Sequence, residues 1–187
     1  MNTKKRIILG FLIFILLAVV IFISCGLWNY MRQKNELKES LKSFSTILES
    51  GNLDSLNLTI YYGPTYDTPF PWNVDYLIRN REPTIVVDGT SLKEHIDLLK
   101  QLSDVNLVPI WKKSYLDARI YYVFETEENG KIFDVAMWGS DGKTLSIFFN
   151  GIEIKSNNVF YYVLMTFLSE DELENRGGLK DYLNKEN

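Results

Sequence analysis

The chain has 187 residues, 24 acidic and 20 basic, a formal net charge of −4, one cysteine and one histidine. Lys4, Lys5 and Arg6 precede an apolar run, leaving 17 basic and 24 acidic residues, a net −7, in the remainder; that acidic balance argues against nucleic acid as a partner, because phosphate binding needs a basic patch. With Cys25 at the edge of the apolar run and His95 alone, the globular part is left without disulfides, thiolate or histidine-rich metal sites, or a cysteine nucleophile, and no cofactor is expected.

Residues 1–28 read as an N-terminal membrane anchor. From Ile7 to Ile23 there is no charged or amide side chain, and the run extended to Trp28 is 22 residues, about 33 Å as helix. That length crosses a hydrocarbon layer of ~30 Å and exceeds the core of a cleavable signal sequence. A second reading stands beside it. Phe22-Ile23-Ser24-Cys25 resembles a bacterial lipobox, in which Cys25 would receive lipid after cleavage; Phe22 and Ile23 depart from that pattern. Trp28 and Tyr30 at the end of the run fit the aromatic belt of a spanning helix, and favour the uncleaved span. Both readings tether the chain to a lipid bilayer through residues 7–28. Arg32, Lys34, Lys38 and Lys42 follow the span, so charge bias alone hardly orients it. The short basic head followed at once by apolar sequence has the layout of an export signal, which points to a domain outside the cytoplasm. An exported domain without disulfides fits a bacterial surface.

Residues 29–50 read as a connecting amphipathic helix. Leu37, Leu41, Phe44 and Leu48 make one stripe, packed on the chain's own domain, and Gly51 is placed to end it. Residues 51–187 read as one α+β domain. "SLNLTIYYG" alternates as a half-buried strand, a short helix is expected over 74–80, and "PTIVVDG" reads as a strand. Ser91-Leu92-Lys93-Glu94 matches a capping box opening a helix that ends near Ser103. Strands are expected at 106–111, 118–125, 132–138, 144–149 and 152–155, the last four forming an antiparallel meander. Asn150-Gly151 is the strongest hairpin cue among them, since a type I′ turn needs two residues tolerant of positive φ. A helix follows over 158–168, and Ser169-Glu170-Asp171-Glu172 offers another capping box, with Leu179, Tyr182 and Leu183 in a last amphipathic turn. The expected architecture is a mostly antiparallel sheet with helices on one face.

Chemistry is sparse. "GSDGKT" at 139–144 has two residues between its glycines and a strand after it, unlike a phosphate-cradling loop. His95 lies at the border of a helix stripe and reads as a boundary residue. Asp88, Asp117, Glu125 and Asp134 are the acids worth inspecting as a carboxylate pair. No catalytic residue is assigned.

The recognition surface expected from the sequence is "IYYGPTYDTPFPWNVDY". Tyr61, Tyr62, Tyr66, Phe70, Trp72 and Tyr76 fall in sixteen residues, stiffened by three prolines, with Arg79 and Arg81 beyond as donors to an anionic group. Rigid aromatics on a loop lose little entropy on binding a peptide, a glycan or a protein. The function expected is therefore a membrane-anchored, extracytoplasmic, non-catalytic binding or regulatory domain with a protein or glycan partner at the cell surface. Two alternatives are a carboxylate-based hydrolase acting on envelope glycans and a structural partner subunit of a membrane complex.

Overall fold

The computed structural model describes residues 3–63, 70–80, 85–111, 116–137 and 146–169, with side chains from residue 11 onward. Its first element is a single unbroken helix, α1 (Thr3–Ser50), 48 residues long and about 72 Å from end to end. The helix has two environments. Its apolar part from residue 11 to 24 is exposed throughout, and it is long and apolar enough to cross a membrane. From Gln33 onward it enters the domain, burying Leu37, Leu41, Phe44 and Leu48, all within the main core. It ends at Gly51, whose φ of +72° is a left-handed C-terminal cap and whose N–H donates to the Leu48 carbonyl at 3.3 Å.

After a short 3₁₀ turn (Leu53–Ser55) come β1 (Leu56–Tyr62), α2 (Val74–Asn80), β2 (Ile85–Val87), α3 (Gly89–Lys93) and α4 (Ile96–Ser103). Then follow β3 (Ile120–Thr126), β4 (Gly130–Met137), β5 (Ile147–Phe149), β6 (Ile152–Ile154) and α5 (Val159–Phe167). The sheet has six strands in the order β2-β1-β3-β4-β5-β6, every pair antiparallel. The expected meander of about four strands is thus β3 to β6, and it is extended by β1 and β2 into a larger sheet. The first hairpin turns at Gly130, φ +66°, and the last at Asn150-Gly151, φ 48° and 73°, the two successive positive values a type I′ turn requires. The "GSDGKT" segment, the second capping box from Glu170 onward and the Leu179–Leu183 turn lie outside the described residues.

Alternation along the strands builds two faces. Leu58, Ile60, Tyr122, Phe124, Phe133, Val135 and Phe149 meet α1, α3, α4 and α5 in the main core. Phe44 of α1 is fully buried at its centre, with ring centroids 5.1 Å from both Phe124 and Phe133; Phe133 stacks on Phe149 at 4.7 Å. The opposite face carries a smaller cluster of Tyr121, Val123, Ala136 and Phe148, joined by Leu77 of α2. Helices therefore lie on both faces, not on one.

Two local expectations are corrected. Residues 106–111 are not a strand: Pro109 makes one bridge to Ile154, flanked by hydrogen bonds from Ile110 N to Glu153 O and from Lys155 N to Val108 O. Pro109 occupies the non-hydrogen-bonded position of that bridge, where its missing N–H is tolerated, and the segment meets β6 at that single point. The helix over 91–103 is two helices. Asp88, not Ser91, caps the first, accepting from Ser91 N at 2.9 Å, and the chain turns at Glu94-His95 before α4 begins. That bond to the Ser91 amide holds the Asp88 carboxyl below its ordinary value. Gly89 is needed at this junction: a Cβ there would sit 1.8 Å from the Leu53 carbonyl oxygen.

Candidate functional site

The aromatic segment divides between the two faces because β1 alternates. Tyr62 points into the main core and is buried, whereas Tyr61 lies on the opposite face with its ring centroid 5.9 Å from Tyr121. Past the loop, Phe70 is 74% exposed. Trp72 is half-buried beside the smaller cluster and meets Tyr76 edge-on at 4.8 Å. Tyr76 is 48% exposed on α2, and Arg79 is exposed in the last turn of that helix. Tyr66 and Arg81 lie outside the described residues. The structure thus brings Tyr61, Trp72 and Tyr76 to one side of the sheet, leaves Phe70 and Arg79 exposed nearby in sequence, and assigns Tyr62 to the interior.

The ledge formed by Tyr61, Trp72 and Tyr76 is held by a largely buried ion pair. Arg119 donates through Nε (3.1 Å) and Nη2 (2.7 Å) to Oδ2 of Asp117; the two side chains are 4% and 14% exposed. The other Asp117 oxygen accepts the Trp72 backbone N–H at 2.7 Å, Ala118 N donates to Trp72 O at 2.7 Å, and the guanidinium lies 5.6 Å from the Trp72 ring centroid. Gly63 N in turn donates to the Arg119 carbonyl at 2.7 Å, so both ends of the aromatic loop are pinned to the start of β3. Asp117 is therefore a scaffold carboxylate. Nothing local in the sequence pairs it with Trp72, 45 residues away.

The other acids are similarly engaged. Asp134 accepts from the Tyr121 hydroxyl at 3.4 Å and from Lys131 Nζ, while its backbone N–H is held by Asn150 Oδ1 at 2.9 Å. Burial, then the neighbouring Asp134 carboxylate, pushes the Tyr121 phenol well above its ordinary value. Glu125 sits where the β3–β4 register shifts, with Lys131 as its cross-strand partner. His95 meets Phe167 edge-on at 5.1 Å and stands at the N-terminus of α4 without a side-chain cap, a structural position. Among the described residues no group of three or more His, Cys, Asp or Glu is placed to hold a metal ion. Cys25 is an exposed residue within α1, where the helix continues without interruption.

Where the apolar part of α1 meets the domain, Trp111 lies against the helix. A Cβ on Gly26 would meet the Trp111 indole at 2.6 Å, and the Tyr30 and Trp111 rings are 6.4 Å apart. Sequence reading singled out Trp28 and Tyr30 on this stretch of α1 and missed Trp111, which reaches Tyr30 from a loop more than eighty residues on. No protein-family model matches this chain, and neither curated proteins nor solved structures yield a match.

Proposed function

We propose that this chain is a membrane-anchored, non-catalytic binding or regulatory domain held outside the cytoplasm. The observation that carries the reading is the division of α1: its apolar half stands clear of the domain, while its second half supplies the centre of the domain's core. An exposed apolar helix of this length has a large free-energy incentive to enter lipid. The contact of Gly26 with Trp111 supports an uncleaved span over lipidation. A cut before Cys25 would fall one residue from folded structure, whereas a lipoprotein needs a flexible tether there.

The ledge of Tyr61, Trp72 and Tyr76, with Phe70 and Arg79 outward, is the recognition surface we assign, for a protein or glycan at the cell surface. Its rings are pre-set by the Asp117–Arg119 pair, which lowers the ordering cost of binding. A binding role is supported over glycan hydrolysis by the engagement of Asp117 and Asp134 in ion pairs with Arg119 and Lys131. The partner-subunit alternative drew on the 37–48 stripe, which is buried in the chain's own core.

The test is crosslinking of neighbours in intact cells carrying the native chain or the Phe70→Ala/Tyr76→Ala variant, both exposed positions whose loss leaves the core unchanged. Loss of the crosslinked partner with an unaltered melting temperature is the expected result. Identical crosslinks from both proteins would remove the ledge from consideration.

A further inference from the structure

A groove of about 530 Å³ lies between α1 and the loop after α4, and its α1 wall carries Lys34, Lys38 and Lys42. Their spacing of four residues sets them one above another on a single helix face, about 6 Å apart along the axis. Like charges four residues apart on a helix repel one another unless carboxylates stand between them. Here none of the three has a carboxylate within ion-pair distance among the described residues, and the facing loop contributes one acid, Asp104, beside Asn106 and Leu107. The groove is positively charged in a chain of net negative charge.

Its position relative to the lipid gives this meaning. The lower end of the groove is lined by Met31, one helical turn beyond Trp28. Trp28 and Tyr30 stand on α1 within about one helical turn of Gly26, where Trp111 packs from the side. Trp111 is 64% exposed while its ring rests on the helix at Gly26, so the domain itself contributes to the aromatic belt. Measured along α1 from Trp28, Lys34, Lys38 and Lys42 stand at about 9, 15 and 21 Å. Helical side chains lean toward the N-terminus, which on α1 is toward the membrane, and a lysine stem reaches about 6 Å. The headgroup layer extends roughly 5–8 Å beyond the hydrocarbon edge. Lys34 reaches the phosphate level, Lys38 stands just above it, and Lys42 is too high for contact.

We infer that this groove is a binding site for the phosphate of an anionic phospholipid in the leaflet from which the domain emerges, with Lys34 as its donor and Lys38 adding positive charge just above it. The inference rests on the bilayer-spanning reading of α1. Lys34 meets the phosphate, Met31 covers the upper acyl or glycerol region, and Asn106 lines the loop side. Bound lipid would fix the rotation of α1 about its axis, and with it the direction in which the aromatic ledge faces.

The test uses the full chain reconstituted into vesicles of equal parts phosphatidylcholine and phosphatidylglycerol. Flotation first reports whether the chain resides in the bilayer. A chain that stays at the bottom of the gradient refutes the anchor reading and this inference with it. For protein that floats, native mass spectrometry of the extracted complex counts retained lipids of each type. Enrichment of phosphatidylglycerol is expected. Lys34→Gln should reduce it about fivefold, the contribution of one cationic side chain at an anionic surface, with Lys38→Gln somewhat less and Lys42→Gln under twofold. Asp104→Asn should raise it. Asn106→Trp, which fills the groove without changing charge, should abolish it, and Lys34→Arg should restore it. Equal losses from all three lysine variants with Asn106→Trp unaffected would mean diffuse surface attraction and overturn the site. Displacement of the lipid by millimolar glycerol 3-phosphate would identify a soluble anion as the occupant and overturn it as well.

Discussion

Replacing Phe44 with alanine tests whether the long N-terminal helix is also the keystone of the domain. Phe44 has no exposed surface, and its ring lies 5.1 Å from two further phenyl rings, one tilted and one edge-on. Phe→Ala in a packed core costs ~3–5 kcal/mol through lost transfer energy and the cavity left behind. The two aromatic contacts place this site in the upper part of that range, about 4–5 kcal/mol. For a domain of this size each kcal/mol moves the melting temperature by roughly 2–4 °C, so the variant should melt about 8–20 °C lower. The assay is thermal unfolding of the full chain in detergent micelles, followed by near-ultraviolet circular dichroism, which reports ring packing; the aromatics of the apolar run (Phe11, Phe14, Phe22, Trp28) are common to variant and control and cancel in the comparison. Glu39→Ala, on the exposed side of the same helix, is the control and should shift stability by less than about 0.5 kcal/mol. If Phe44→Ala melted with the control, the second half of α1 would be a connector rather than core.

Gly89→Ala should destabilise by roughly 3 kcal/mol, because the added methyl collides with backbone atoms of Leu53 and only separation of α3 from the preceding turn relieves it; an unchanged urea midpoint would contradict the packing described. Asp117→Ala removes a charged acceptor from Arg119 and the acceptor of the Trp72 N–H and should cost about 1.5–3 kcal/mol, with a change in tryptophan emission as the Trp72 segment loosens; a loss below about 0.5 kcal/mol would show that the pair is not holding the ledge. Burial raises the phenols of both Tyr121 and Tyr122 well above the ordinary 10.0. Their neutral forms therefore stabilise the fold fully below about pH 10, and that contribution is lost as pH rises through the folded-state values. In an alkaline titration these two of the eleven tyrosines should form phenolate only together with loss of the near-ultraviolet signal. Ionisation of all eleven in one reversible step with the native spectrum intact would contradict the burial.

What could be read from the sequence was local. The stripe at Leu37, Leu41, Phe44 and Leu48, the stop at Gly51 and the turn at Asn150-Gly151 each depend on residues within one or two turns of one another, where periodicity and φ preference speak directly. The 106–111 segment misled because alternating apolar residues signal a buried face, and Leu107 and Pro109 are buried, but burial alone does not supply a hydrogen-bonding partner. At Asp88 two caps competed, and the one that won places Gly89 against Leu53, a contact invisible in sequence. The candidate ledge was half legible: the clustering of Trp72 and Tyr76 was, whereas the loss of Tyr62 to the core follows from strand register. Its support by Asp117 and Arg119 and the approach of Trp111 to Gly26 are tertiary facts with no sequence signature. The lysine row of α1 was visible as charges, and only the position of the facing loop makes it a groove.

The most direct measurement of the central claim is the fate of the chain in intact cells bearing a C-terminal tag. The account predicts that the full 21.8 kDa chain with its own N-terminus stays in the membrane pellet through an alkaline carbonate wash, and that protease added outside removes the tag. Release into the wash, or a tag that survives protease until the cells are opened, would contradict it.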